Sequence, residues 1–324
     1  MMQFFHDVNI DWLGKMKVYA ALTVVIILMG IYTFFLGRGV PLGVDFKEGT
    51  IVYVKFAPGT RAEDIRTAVQ NGGVKEARIQ GYGPAADNEY LIALETAPNE
   101  QALDAGKQAI VAALDASPLK GKFEVRKADI VGPQVGDQLR RQALLATAYS
   151  MVGMLIYLAF RFEFIYGLAA VIAVIHDTWF TLAVFSLTGT EISLTVIAAL
   201  LTLMGYSMND TIVIFDRIRE NLKVSRRESF IEVANKSINQ TLSRTVLTSG
   251  LTFLTVLALY LFGGQVLHGF SFALVVGILI GTYSSIAVAV PVVVLYDNWK
   301  MSQTGRAAGK GEARESGKRE KVRA

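Results

Sequence analysis

Long apolar runs dominate the pattern of hydrophobic and polar positions. A hydrocarbon core of about 30 Å takes roughly 20 mostly apolar helical residues. Residues 18–36, 142–160, 164–187, 193–215, 245–262 and 270–295 each come near or exceed that length, so the pattern predicts six transmembrane helices. Lys15 and Lys17 ahead of the first run give it the look of a signal peptide. The run is long and bulky, however, and no small-residue cleavage site follows, so it reads as an uncleaved anchor.

Between the first and second runs the pattern changes. "TIVYVKF" (residues 50–56) alternates as a strand, and "APGT" ends it. Thr60 and Glu63 have the spacing of a capping box ahead of Ile65, Ala68 and Val69, a short helical face. Strands are expected at 75–82 and 89–94. A second helix buries Leu103, Ile110, Val111 and Leu114, and "KFEVRKADIV" supplies a final strand. The order is βαββαβ, a ferredoxin-like α+β domain. The predicted fold class is therefore an α-helical polytopic membrane protein with six transmembrane helices and one ferredoxin-like domain, an architecture that hosts many functions.

Charge supplies the orientation. The link between the fourth and fifth runs carries Arg217, Arg219, Lys223, Arg226, Arg227, Lys236 and Arg244, whereas residues 188–192 and 263–268 carry no Lys or Arg. Basic residues of short loops stay on the cytoplasmic side. Both termini are then cytoplasmic, and residues 38–137 lie on the outer side of the membrane. The expected organisation is an N-terminus with the first helix (1–36), the outer domain (37–138), a five-helix bundle (139–298) and a basic disordered tail (299–324). Within the bundle, residues 217–243 place Ile218, Leu222, Phe230, Ile231, Ala234 and Ile238 among charges, as an amphipathic helix on the inner membrane surface would. The tail reads as a solvated end that could touch anionic lipid, with no specific nucleic acid as partner.

Composition narrows the chemistry. The chain is 52 % apolar, with 7 prolines, 32 Lys and Arg against 28 Asp and Glu, and no cysteine. Disulfides, thiolate metal sites and cysteine nucleophiles are excluded. No Walker A sequence occurs, so no nucleotide site is expected.

Polar residues inside the apolar runs are the candidates for function. Asn209 and Asp210 stand within "LTLMGYSMNDTIVIF" (residues 201–215), and His176 and Asp177 within "AVIHDTWF". A central Asp costs about 2.5–3.5 kcal/mol on insertion scales, so such residues usually face a bundle interior and mark an ion or proton path. Arg244 begins the fifth run, within reach of Asp210 if the two helices are antiparallel neighbours. Pairing favours the carboxylate and loss of the partner favours the neutral acid, a proton switch in outline. The structural alternative is a neutral Asp hydrogen-bonded to a neighbouring helix. Arg244, Thr248, Thr252 and Thr255 fall on one helical face, either lining a path or bonding helices together. Gly269, Ala273, Gly277, Gly281, Ser285 and Ala289 recur every four residues, a close-packing face.

"LGVDFKEGT" (42–50), "VGPQVG" (131–136), "YLAFRFEF" (157–164), "HD" (176–177) and "GYSMNDTIVIFDRIREN" (205–221), in that order and spacing, resemble the SecF family of the bacterial Sec protein-export machinery. The likeness extends over residues 43–295, and Glu48 stands where the family pattern has Gly. The resemblance implies a subunit that pairs with SecD in a twelve-helix unit of resistance-nodulation-division type. Further implied partners are the SecYEG channel, YajC and unfolded exported polypeptides. It implies protons as the coupling ion, no cofactor, and no enzymatic reaction. It also assigns Asp210 as the proton-linked site and Arg244 as its partner; the polar pattern itself adds Asn209 beside Asp210 and makes His176, Asp177 and Thr248 candidate accessory polar residues. Two rivals are an intramembrane aspartyl protease, whose G-x-G-D and Pro-Ala-Leu motifs are missing, and a passive scaffold whose periplasmic domain binds exported chains.

Overall fold

The computed structural model describes residues 8–37, 39–46, 49–74, 77–82, 87–94, 100–131, 133–225 and 227–303. Glu48 and most of the basic tail lie outside them. Helix α1 (Met16–Ile31) ends in a π-helical turn, Tyr32–Leu36. There follow β1 (Gly49–Phe56), α2 (Ala62–Asn71), β2 (Arg78–Tyr82), β3 (Glu89–Leu94), α3 (Glu100–Asp115) and β4 (Phe123–Val131). Five long helices complete the chain: α4 (Pro133–Arg161), α5 (Phe164–Thr188), α6 (Leu194–Val224), α7 (Phe230–Phe262) and α8 (Gly264–Ser284). A π-helical turn at Ser285–Ala289 carries α8 into a further helical stretch that ends at 303. Among the described residues six helices are long and apolar enough to cross a membrane, and each contains or overlaps one of the six expected runs.

The small domain has the expected βαββαβ order. Its four strands are antiparallel in the order β2-β3-β1-β4, with Val52 opposite Ile92 on one side and Ala128 on the other. Val52, Val54, Ile65, Val69, Ile92, Ile110 and Leu114 form its core. Both helices turn their apolar stripe to the sheet, since nothing else hides it from water. The start of α2 lies one residue later than the capping-box spacing places it. Arg61 is the N-cap, and its backbone N–H donates to Asp64 Oδ2 at 3.3 Å, while Thr60 donates back to the Ala57 carbonyl at 2.9 Å.

This domain is fastened to the bundle at the α5–α6 turn. Gly189 closes α5 with φ 69°, a left-handed conformation glycine adopts freely. The chain then lies beside the segment leading into β1: Gly43 N–H donates to Ile192 O and Ile192 N–H to Pro41 O, both at 2.8 Å. Asp45 Oδ2 accepts the Leu194 N–H at 2.8 Å, capping the start of α6. Arg78 of β2 pairs with Glu191.

In the bundle, α5, α6 and α8 are deeply packed, while α1 and α4 present leucines, valines and tyrosines outward as a lipid-facing surface would. The four-residue stripe of α8 packs as expected. A Cβ on Gly269 would lie 3.1 Å from Val196, and one on Gly281 3.0 Å from Ser207 Cβ; Gly277 abuts Leu203. All three neighbours belong to α6, so small residues let these helices approach closely.

Residues 217–243 do not form one amphipathic surface helix. They are divided between the ends of α6 and α7, which run past the expected ends of both runs and meet in a tight hairpin. The turn is set by Ser229 and Glu232, a capping box in which Ser229 N–H donates to Glu232 Oε2 at 2.8 Å. Ile218, Ala234 and Ile238 are buried against each other and Leu13, with Leu222 and Phe230 beside them. The apolar face thus closes on protein instead of lying on lipid. Two asparagines of α7 also grip the chain ahead of α1. Asn235 Oδ1 accepts the Trp12 N–H at 2.8 Å, and Asn239 Nδ2 donates to Ile10 O at 2.9 Å.

Candidate functional site: two buried carboxylates astride α6

Helix α6 carries a polar side chain on each of two faces. Asp210 is 2 % exposed, and its Oδ2 accepts a 2.6 Å hydrogen bond from Ser249 of α7. Ser207, three residues earlier and about 60° around the helix, donates at 2.6 Å to Asp177 Oδ2 of α5. The same oxygen accepts Ser284 of α8 at 2.7 Å, and Asp177 Oδ1 lies 3.1 Å from His176 Nδ1. One carboxylate therefore has three donors across three helices, the other a single one. A buried carboxylate without donors is expensive, and here serine hydroxyls supply them.

Arg244 does not reach Asp210 as expected. The two stand level: Asp210 is 14 residues before Val224, and Arg244 is 14 after Phe230, about 21 Å along each helix from the hairpin. Arg244 is nevertheless turned outward and exposed, and no ion pair joins them among the described residues. Ser249, the residue that meets Asp210, is five positions further, about 140° around α7.

Thr248, Thr252 and Thr255 share the outward side. Each hydroxyl donates to the carbonyl four residues earlier, at 3.0 Å, so none lines an internal path in this arrangement. Asn209 is likewise exposed, and Gly205 has no atom within 4 Å of where its Cβ would stand. The structure thus brings His176 and Asp177 together with α6, buries Asp210, and leaves Asn209, Arg244 and Thr248 on an open face. Ser249 and Ser284 were not singled out from sequence. The available signal was a second four-residue series on α7, Ser237, Thr241, Thr245 and Ser249, all buried.

Comparison with known proteins bears on this geometry. Residues 112–299 match the family "Protein export membrane protein SecD/SecF, C-terminal". A protein translocase subunit SecF from Koribacter versatilis is 48 % identical, with 100 % of each chain covered. One from Calditerrivibrio nitroreducens is 43 % identical over 90 % of this chain and 95 % of that one. The crystal structure of SecDF, a translocon-associated membrane protein from Thermus thermophilus, superposes with a TM-score of 0.77 at 39 % identity over 90 % of this chain. This chain spans only 39 % of that longer one. The six apolar helices, the four-stranded antiparallel domain and these likenesses agree, and the chain belongs to the SecF family of protein translocase subunits, multi-pass membrane proteins of bacterial protein export.

Proposed function

We propose that this chain is half of a proton-driven export unit. Joined to a SecD-like partner at the SecYEG channel, it uses the protonation of Asp210 to move the helices around it and so assists late export of unfolded polypeptides. In this reading the membrane is the bacterial cytoplasmic membrane, both termini are cytoplasmic, and the domain within residues 37–138 is periplasmic.

The observation that carries the reading is the open strip of Asn209, Arg244 and Thr248 at the depth of the bundle centre. A guanidinium facing lipid there costs about 2.5–3.5 kcal/mol on insertion scales. Helices of another protein, bearing an acidic or polar group, relieve that cost. The strip flanks α6 and α7 where Asp210 sits, so the partner closes over the titrating site instead of packing elsewhere.

The deciding experiment is export into membrane vesicles with and without a proton gradient, at equal protein levels. Asp210→Asn assembles with its partner and loses the gradient-dependent part of export, and Arg244→Met does the same. Asp210→Glu keeps some function, because a proton-binding group survives. Undiminished gradient stimulation by Asp210→Asn would mean a passive scaffold and would refute the proposal.

A further inference from the structure

We infer that His176 and Asp177 form a second proton-carrying site, separate from Asp210, that faces the hairpin end of the bundle on the side lined by Tyr283 and Tyr19. This inference rests on the proton-driven reading above and adds a site and a route to it.

The site is built, not incidental. Asp177 is 1 % exposed and held by Ser207 of α6, Ser284 of α8 and His176 of its own helix. His176 is 7 % exposed, yet only Nδ1 has a partner; Nε2 is buried with none. A histidine that serves packing alone satisfies both ring nitrogens, since buried polar groups are almost always hydrogen-bonded. A ring fixed by one nitrogen to a carboxylate with the other free can take a proton at one end and release it at the other.

Beyond His176 the row continues. The Tyr283 ring of α8 lies 6.5 Å from the imidazole, and its hydroxyl is also buried without a partner in hydrogen-bonding geometry. Tyr19 of α1 meets Tyr283 edge-on at 6.1 Å. Tyr19 is partly exposed and stands one turn into α1, at the end where Leu13 packs against the α6–α7 hairpin. Rings therefore lead from mid-bundle to that surface. The groups facing the site are Ser207 from α6, Ser284 and Tyr283 from α8, and, beyond Tyr283, Tyr19 and Thr23 from α1. No Lys, Arg or Glu bonds to His176 or Asp177 among the described residues. The π-helical turn of α8 begins directly after Ser284, a local irregularity that often marks functional positions.

The step balances as a proton transfer. A proton from water at the hairpin end binds Nε2 while the Nδ1–H bond breaks and an O–H bond forms on Asp177 Oδ1. The imidazole stays neutral in its other tautomer, and the carboxylate becomes an acid. Ser207 and Ser284 then face a neutral acceptor, which loosens the tie of α6 to α5 and α8. Since Ser207 and Asp210 are three residues apart, both sites act on the same stretch of α6.

The test uses the complete chain with its SecD-like partner in vesicles loaded with a pH-sensitive dye. His176→Ala lowers gradient-driven proton flux by about a hundredfold, and added imidazole restores a large part of it. His176→Gln, which keeps a donor for Asp177 and cannot relay a proton, shows the same loss with an unchanged melting temperature. Flux within about threefold of the parent in either variant, or a loss in His176→Ala that imidazole leaves untouched, overturns the inference. Asp210→Asn measured alongside separates the two readings: if that variant conducts like the parent, the assignment of the coupling site to Asp210 fails, whereas the His176 variants alone decide this inference.

Discussion

Ser249 and Thr248 are neighbours in sequence with opposite meaning. Among the described residues Ser249 gives Asp210 its one hydrogen bond, whereas Thr248 bonds only the backbone of its own helix. Ser249→Ala should cost about 1.5–3 kcal/mol, the range for a hydrogen bond to a charged group, and shift the pH at which export responds to a gradient. Thr248→Ala should stay within about 0.5 kcal/mol; both are read from thermal unfolding of the purified complex. Sequence reasoning found Asp210, His176 and Asp177 because a charged or titratable group in an apolar run has few explanations. It did not find Ser249, because α7 carries hydroxyls on two faces and the periodicity alone does not say which one turns inward. Outside the membrane, hydrogen bonds from Arg61 hold the Asp64 carboxyl below its ordinary value. Stability from that pair is present above the unfolded value near 4 and is lost as pH falls through the lowered one. Fraying at the start of α2, followed by amide exchange, should therefore begin only in strong acid and should occur at neutral pH in Asp64→Asn.

Helix identity was legible from apolar length, and the domain's element order from alternation and turn residues. Helix ends were less so. The α6–α7 hairpin was missed because charged residues interrupt the apolar run well before the helix stops, while Ser229 and Glu232 mark the true start of α7. Arg244 was misjudged for a related reason: spacing fixes depth along a helix but leaves its rotation to packing. At this scale the sharpest test is the α6–α8 contact. Gly281→Leu pushes against Ser207 and Asp177, and overpacking of this kind costs about 1–3 kcal/mol. Gly205 has open space. Gly205→Leu should leave this chain's own melting temperature unchanged yet reduce co-purification of the partner, because its side chain enters the open face to which the proposed function assigns that partner.

The bundle and the domain act as one molecule through the α5–α6 turn, where Asp45, Arg78 and the residue 41–43 segment meet the start of α6. That attachment fixes the domain at the end opposite the hairpin. Single cysteines at Lys120 and Val224, both exposed in a chain without native cysteine, should therefore label from opposite sides of the membrane. Labelling of both by one impermeant reagent on intact cells would break the topology. The grip of Asn235 and Asn239 on Ile10 and Trp12 spans 223 to 229 positions of sequence. During synthesis the first residues emerge long before the helix that fastens them. Until α7 is inserted, the opening segment is a loose end open to proteases and chaperones, and its capture is a late closing event of biogenesis. A chain stopped ahead of Phe230 should be clipped near Trp12 by added protease, while the finished protein resists, so the fastening of its beginning would report that its later helices have arrived.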